Sequence, residues 1–222
     1  MTTIAVYNRA SVPLGLDLSA LTAALQVYID SYLVPAWNCP ATLTLTDGPV
    51  SGSWGIVFLD DADSPGALAY HTTDDGFPLS KIFVRTAQQA GESLSVSVSH
   101  ELAEMLVDPD CTLVAIRSNG DQVAYEVCDP CEETTFLVNG SQFSDFVLPA
   151  YFDDKNATGP FDFSQVLTSP FSLHAGGYQS ICKSGIWSQV FGSLDKAARF
   201  AQEDRRGHRS EVRAEITRNR KI

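Results

Sequence analysis

His100 and Glu104 stand four residues apart in Ser99-His100-Glu101-Leu102-Ala103-Glu104. On a helix, that spacing puts both side chains on one face, with Glu101 beside them. An imidazole and a carboxylate one turn apart are the beginning of a metal site. A neighbouring carboxylate can then act as a base toward water. The pattern departs from H-E-x-x-H in its last residue, where a glutamate replaces the second histidine. About twenty residues on, Glu126-Val127-Cys128-Asp129-Pro130-Cys131-Glu132 brings further acids and two thiols. The same residues have plainer readings. His100, Glu101 and Glu104 also suit a surface helix with solvated charges, Asp129-Pro130 a turn, and Asp108-Pro109 a helix stop.

These residues need elements to place them. Residues 3–7 are apolar and read as a strand. Asp17 offers an N-cap before Leu18, Leu21, Leu25 and Tyr28, which recur at helical spacing. This helix is expected to run to about Tyr32 and to end before Pro35. Residues 41–46 alternate as a strand does, and Asp47-Gly48-Pro49 turns the chain. Residues 54–59 form an apolar run suited to a strand buried on both faces. Residues 67–71 and 81–85 read as two short strands, or one broken edge strand, around Asp74-Asp75-Gly76.

The motif segment carries two periods. Residues 94–99 alternate as in a strand, whereas Leu94, Val98, Leu102 and Met105 form one helical stripe. The helical period extends further, so a helix over 93–107 is expected, with Ser93 as N-cap and Pro109 as the stop. Beyond it, residues 125–131, 135–138 and 142–148 read as short strands or irregular segments. Residues 149–185 are loop-rich and aromatic, which suits core under long loops, and a last helix is expected over 194–203. The fold class is α+β: a mixed sheet with two long helices, the second carrying H-E-x-x-E, and an irregular C-terminal half. One domain over 1–195 is expected, with 1–108 forming sheet and site helix and 109–195 a loop-rich subdomain. A basic tail occupies 196–222.

Charge divides along that boundary. The chain of 222 residues carries a net charge of −12. Residues 1–195 hold 6 Lys/Arg against 23 Asp/Glu, a net of −17, and residues 196–222 hold 9 against 4, a net of +5. An acidic body repels a phosphate backbone, which argues against nucleic acid as its partner. The tail is either a solvated terminus or an assembly contact for an acidic surface. No run approaches the roughly 20 apolar residues of a membrane span. The N-terminus reads as a strand rather than a signal peptide, so a cytoplasmic or virion-associated protein is expected. The five cysteines do not suggest a disulfide scaffold. Cys128-x-x-Cys131 has no second C-x-x-C to complete a four-cysteine zinc site. Its thiols read as buried groups, or as one half of a disulfide with Cys111 or Cys182.

With both blocks in view, Ser99–Pro109 and Glu126–Glu132 together resemble the zincin metallopeptidases. The likeness is sharper around the site, where it resembles the H-E-x-x-E pattern of exordium-like plant proteins and of a scattered set of bacterial and phage proteins that look like divergent zincins. The order strand, helix, strands, edge strand, site helix is similar too. The resemblance implies His100, Glu104 and Asp129 as metal ligands and Glu101 as the general base. Glu126 would be a fourth ligand or an acceptor that orients His100. His71, near the edge strand, is a candidate further ligand or oxyanion donor, with a satisfied surface histidine as the other reading. Zinc is the expected ion. Two oxygen donors make the site harder, which also admits Mn²⁺ or Ca²⁺. Two carboxylates cancel the charge of a dication, lowering its Lewis acidity and raising the pKa of bound water. The replaced histidine therefore bears on catalysis more than on binding. Two functions follow as expectations: a metal-dependent peptidase acting on peptide or protein, or a non-catalytic structural or binding protein, such as a phage virion component, on the same scaffold.

Overall fold

Three parallel strands rich in β-branched and aromatic residues begin the chain: β1 (Thr2–Asn8), β2 (Ala41–Leu45) and β3 (Trp54–Leu59). With β4 (Ala69–Asp74) and β5 (Phe77–Phe83) they form a five-stranded mixed sheet of order β2-β1-β3-β5-β4. Only β4 runs antiparallel to its neighbour. The computed structural model describes residues 2–64 and 67–202. Two compact units are distinguished: Met1–Asp110 with Phe136–Ser144, and Cys111–Thr135 with the chain from Asp145 onward.

In the first unit both sheet faces are covered. Ile4, Val6, Ile56, Phe58 and Ile82 are fully buried, while Ala5, Tyr7 and Val57 pack with Leu59 and Leu79 in a second cluster. The expected two short strands are present and pair as one hairpin, with bounds shifted toward the turn. Asp75 and Gly76 both take positive φ (47° and 80°), the two-residue turn that matches strand twist. The hairpin places β5 inside the sheet and leaves β4 at its edge. The expected strand over 81–85 is cut short, because Val84 begins a helix, α3 (Val84–Ala90), closed by Gly91 at φ 73°. A C-terminal glycine in the left-handed region is a common helix stop.

The first helix, α1 (Leu18–Tyr28), is capped as expected: the Asp17 carboxylate accepts from the N–H of Ser19 (2.8 Å) and Ala20 (3.2 Å). Its expected end before Pro35 is overturned. The chain widens into a π-helical turn over Ile29–Leu33 and continues as α2 (Val34–Trp37) to Asn38, at φ 52°. Pro35 sits in the first turn of this last segment, where a missing N–H costs little.

The motif helix, α4, spans Leu94–Val107. Ser93 holds the N-cap position, but its hydroxyl meets that of Ser95 (2.9 Å) rather than a backbone N–H. The serines that gave this segment its strand-like alternation have a helical purpose. Ser95 donates to the carbonyl of Gln142 (2.7 Å), and Ser99 Oγ accepts from the N–H of Ser144 (2.9 Å). Both bonds hold β9 (Ser141–Ser144) against the helix; β9 pairs with β8 (Thr135–Val138) across a turn at Asn139 and Gly140.

The second unit is more ordered than the loop-rich expectation. β6 (Val114–Ile116), β7 (Gln122–Ala124), β10 (Tyr178–Lys183) and β11 (Ile186–Phe191) form an antiparallel sheet of order β11-β10-β7-β6. The β10–β11 turn is Ser184-Gly185, again two positive φ values. Its signal was hidden because β11 alternates exposed and half-buried residues on an open edge. Tyr151, Phe152, Phe161 and Phe171 are buried, as expected of core under long loops. The final helix, α5 (Leu194–Gln202), contains Lys196, so the expected basic tail starts inside a helix. Residues 203–222 lie outside the described residues. No described helix is long and apolar enough to cross a membrane.

Candidate metal centre

Helix α4 is no solvated surface helix. Glu101 is 4% exposed and Glu104 0%, and Asp108, which follows the helix as its C-cap, is 1% exposed. Burial of a carboxylate is costly unless a hydrogen bond or counter-charge offsets it. The plain reading of these residues as solvated charges is therefore overturned. His100 is the most accessible of the set, and its Nε2 lies 3.3 Å from Glu104 Oε1. Two ligands on one tetrahedral ion, each bound at 2.0–2.1 Å, are separated by about 3.3 Å. The pair is spaced as two ligands of one cation would be, and it is also within reach of a charged contact.

His71 is not the surface histidine of the plainer reading. It lies on β4, 1% exposed, with Nδ1 3.3 Å from Glu101 Oε2 and Nε2 3.1 Å from the backbone oxygen of Asp108. His71 is the one buried residue of β4, whose end at Thr73 and Asp74 is exposed. On the adjacent strand its register partner is Ser80, whose hydroxyl meets Met105 Sδ of α4 at 3.3 Å.

Asp129 opens a 3₁₀ turn, Asp129–Cys131, and is 1% exposed; Glu126, in the irregular stretch before it, is 3% exposed. The turn is braced from behind by the segment around Gly176-Gly177. The N–H of His174 donates to the carbonyl of Pro130 (2.9 Å), and a Cβ on Gly177 would fall 2.1 Å from that same oxygen. Only glycine fits there. Cys128 and Cys131 are fully buried, and neither forms the disulfide with Cys111 or Cys182 that the sequence left open. Burial, then the nearby charge of Asp145, pushes the Cys131 thiol well above its ordinary range. It therefore stays protonated, which is not the ligating form.

Among the described residues, His100, Glu104 and Asp129, and likewise His71, Glu104 and Glu126, are groups whose side chains could hold a metal ion. Glu101 is in neither set; its Oε2 lies 3.3 Å from His71 Nδ1.

The second unit holds an acidic pair that was not singled out as such in the sequence. Asp145 and Asp162 are both fully buried. Asp162 accepts from the N–H groups of Val166 (2.9 Å) and Leu167 (2.8 Å), and Asp145 from that of Ser164 (3.1 Å). Burial first, then a hydrogen bond to Asp162 and its charge, pushes the Asp145 carboxyl up to about 7. Below that pH Asp145 holds a proton, which it shares with Asp162 in their hydrogen bond. The available signal was an acid set directly before the apolar run Phe146-Val147-Leu148.

Comparison with protein-family models, curated proteins and solved structures finds no match.

Proposed function

We propose that the chain is a divergent zincin-like, metal-dependent peptidase, with His100, Glu104 and Asp129 as ligands and Glu101 as general base. The observation that carries this reading is the 3.3 Å separation of His100 Nε2 and Glu104 Oε1 on a helix face whose acids are buried. Burial of Glu101, Glu104 and Asp129 favours a cation as their counter-charge. Zinc suits one imidazole and two carboxylates, and Mn²⁺ or Ca²⁺ suits the oxygen donors. When bound, such an ion supplies Lewis acidity toward a carbonyl and toward water.

The protein's own residues do the rest. Glu104 and Asp129 set the charge of the site and thereby hold its acidity low. Glu101, one residue past His100, takes a proton from the attacking water and returns it to the leaving amine. Strand β4 offers an open edge on which a peptide can add as an extended strand. That edge orients the scissile bond relative to α4, which packs on β4 and β5.

A library of peptides supplied with Zn²⁺, Mn²⁺ or Co²⁺ tests the proposal. Cleavage by the wild type is expected, together with its loss in Glu101→Gln at unchanged metal content. Retained cleavage in Glu101→Gln, or none by a metal-loaded wild type, would overturn it.

A further inference from the structure

Strand β4 pairs with β5 alone, so one row of its backbone N–H and C=O groups lies along the sheet edge. An extended peptide that adds there shares the pleat. Its side chains face alternate sides of the sheet, and each stands beside a residue of β4. The peptide residue beside His71 lies next to Glu101, whose Oε2 is 3.3 Å from His71 Nδ1. Three residues further along β4 comes Asp74, at strand rise roughly 10 Å away. Asp75 follows in the turn, and both acids are exposed. The hairpin's lysine is at the other end. Lys81 stands opposite Tyr70, and its Nζ donates to Asp63 (2.7 Å) and to the Tyr70 hydroxyl (3.0 Å). One end of the open edge is therefore acidic, and the other is neutralised by its own ion pair.

We infer that this edge selects extended peptides that carry Lys or Arg about three residues from the scissile bond. The inference rests on the peptidase reading and names its substrate class. A cationic side chain beside Asp74 makes a cross-strand pair of opposite charge, whereas a carboxylate there meets like charge. The net charge of −17 over residues 1–195 adds a longer-ranged attraction of the same sign. Exposed pairs are weak and screened by salt, so the preference is a matter of several-fold and fades as ionic strength rises.

The test uses the full Zn²⁺-loaded chain with a mixed peptide library, its products read by mass spectrometry. Lys and Arg should be enriched, and Asp and Glu depleted, at one position about three residues from the cut. Twin peptides that differ there as Lys against Glu should differ in kcat/KM by at least about threefold at low salt. The double variant Asp74→Asn/Asp75→Asn should erase that ratio while cleaving a neutral peptide as the wild type does. Its Asn-Gly sequence at 75–76 keeps the hairpin turn. Equal kcat/KM for the twins, or a ratio that survives the double variant, would overturn the inference and leave the peptidase reading standing. A binding arm covers the converse. Fluorescence anisotropy follows labelled peptides of alternating threonine and lysine, or threonine and glutamate, on Glu101→Gln. If no peptide is cleaved, the peptidase reading fails. Tighter binding of the lysine peptide, lost in the double variant, still supports the selective edge, and equal binding of the two overturns it.

Discussion

Among the described residues, the buried acids of α4 and the Asp145–Asp162 pair are satisfied in different ways. In the second unit Asp145 and Asp162 share a proton, and backbone N–H groups of a loop close around them. On α4 the backbone N–H groups are committed to the helix ladder, and the contacts to Glu101 and Glu104 come from the imidazoles of His71 and His100. A loop can bend its own donors around an acid, whereas a helix must take them from side chains or from a bound cation. The first arrangement builds structure. The second gathers residue types that could hold a metal ion.

The largest expected effect breaks the helix-borne group. Glu104→Ala should weaken Zn²⁺ binding by at least ~100-fold, read by calorimetry, while Asp162→Asn should leave it unchanged. Equal loss in both would erase the distinction between the two groups.

Next come two tests within the second unit. Lys196, 5% exposed, pairs with Glu132 at 2.7 Å and lies near Glu133 at 3.7 Å. Glu132 is half-buried and the pair partly screened by water, so Lys196→Met should lower stability by about 1–2 kcal/mol in denaturant titration. Gly177→Ala forces a methyl onto the Pro130 carbonyl. Displacement of the turn that carries Asp129 should cost ~1–3 kcal/mol and weaken metal binding as well. A stable Gly177→Ala with unaltered affinity would detach that turn from the site.

How much of this was readable beforehand depends on whether a signal was local. The motif helix could be read because Leu94, Val98, Leu102 and Met105 repeat with helical period, and Asp17 announced its own cap. The strand-like serines were ambiguous because their reason is a hydrogen bond to β9, more than forty residues away. Pro35 misled because a π-helical turn reshapes the ladder just before it. The burial of His71 depends on β4 forming the edge of the sheet, and no residue beside it in sequence encodes that. The choice of Asp129 came from resemblance, since its local sequence fits an ordinary turn equally well.

A smaller effect concerns pH. With its folded pKa pushed up to about 7, above the ~3.9 of an unfolded aspartate, Asp145 binds more protons folded than unfolded in between. Its stabilising contribution is therefore full below about pH 4 and is lost as the pH rises through 7. The slope of unfolding free energy should approach at most ~1.4 kcal/mol per pH unit, and Asp145→Asn should flatten it. A slope of opposite sign would mean that the pair is fully ionised in the folded state. Smallest is Ser99→Ala, which strips the acceptor from the buried N–H of Ser144 and should cost ~1–3 kcal/mol without touching that pH profile.

The central claim is that the acids of α4 are partnered by a cation. Elemental analysis of the full chain purified without chelator, alongside His100→Ala, tests it most directly. One equivalent of a divalent metal per chain in the wild type, falling to near zero in His100→Ala, is the expected result. A wild type that stays metal-free even after incubation with Zn²⁺, Mn²⁺ and Ca²⁺, or a His100→Ala variant that keeps its metal, would contradict the account.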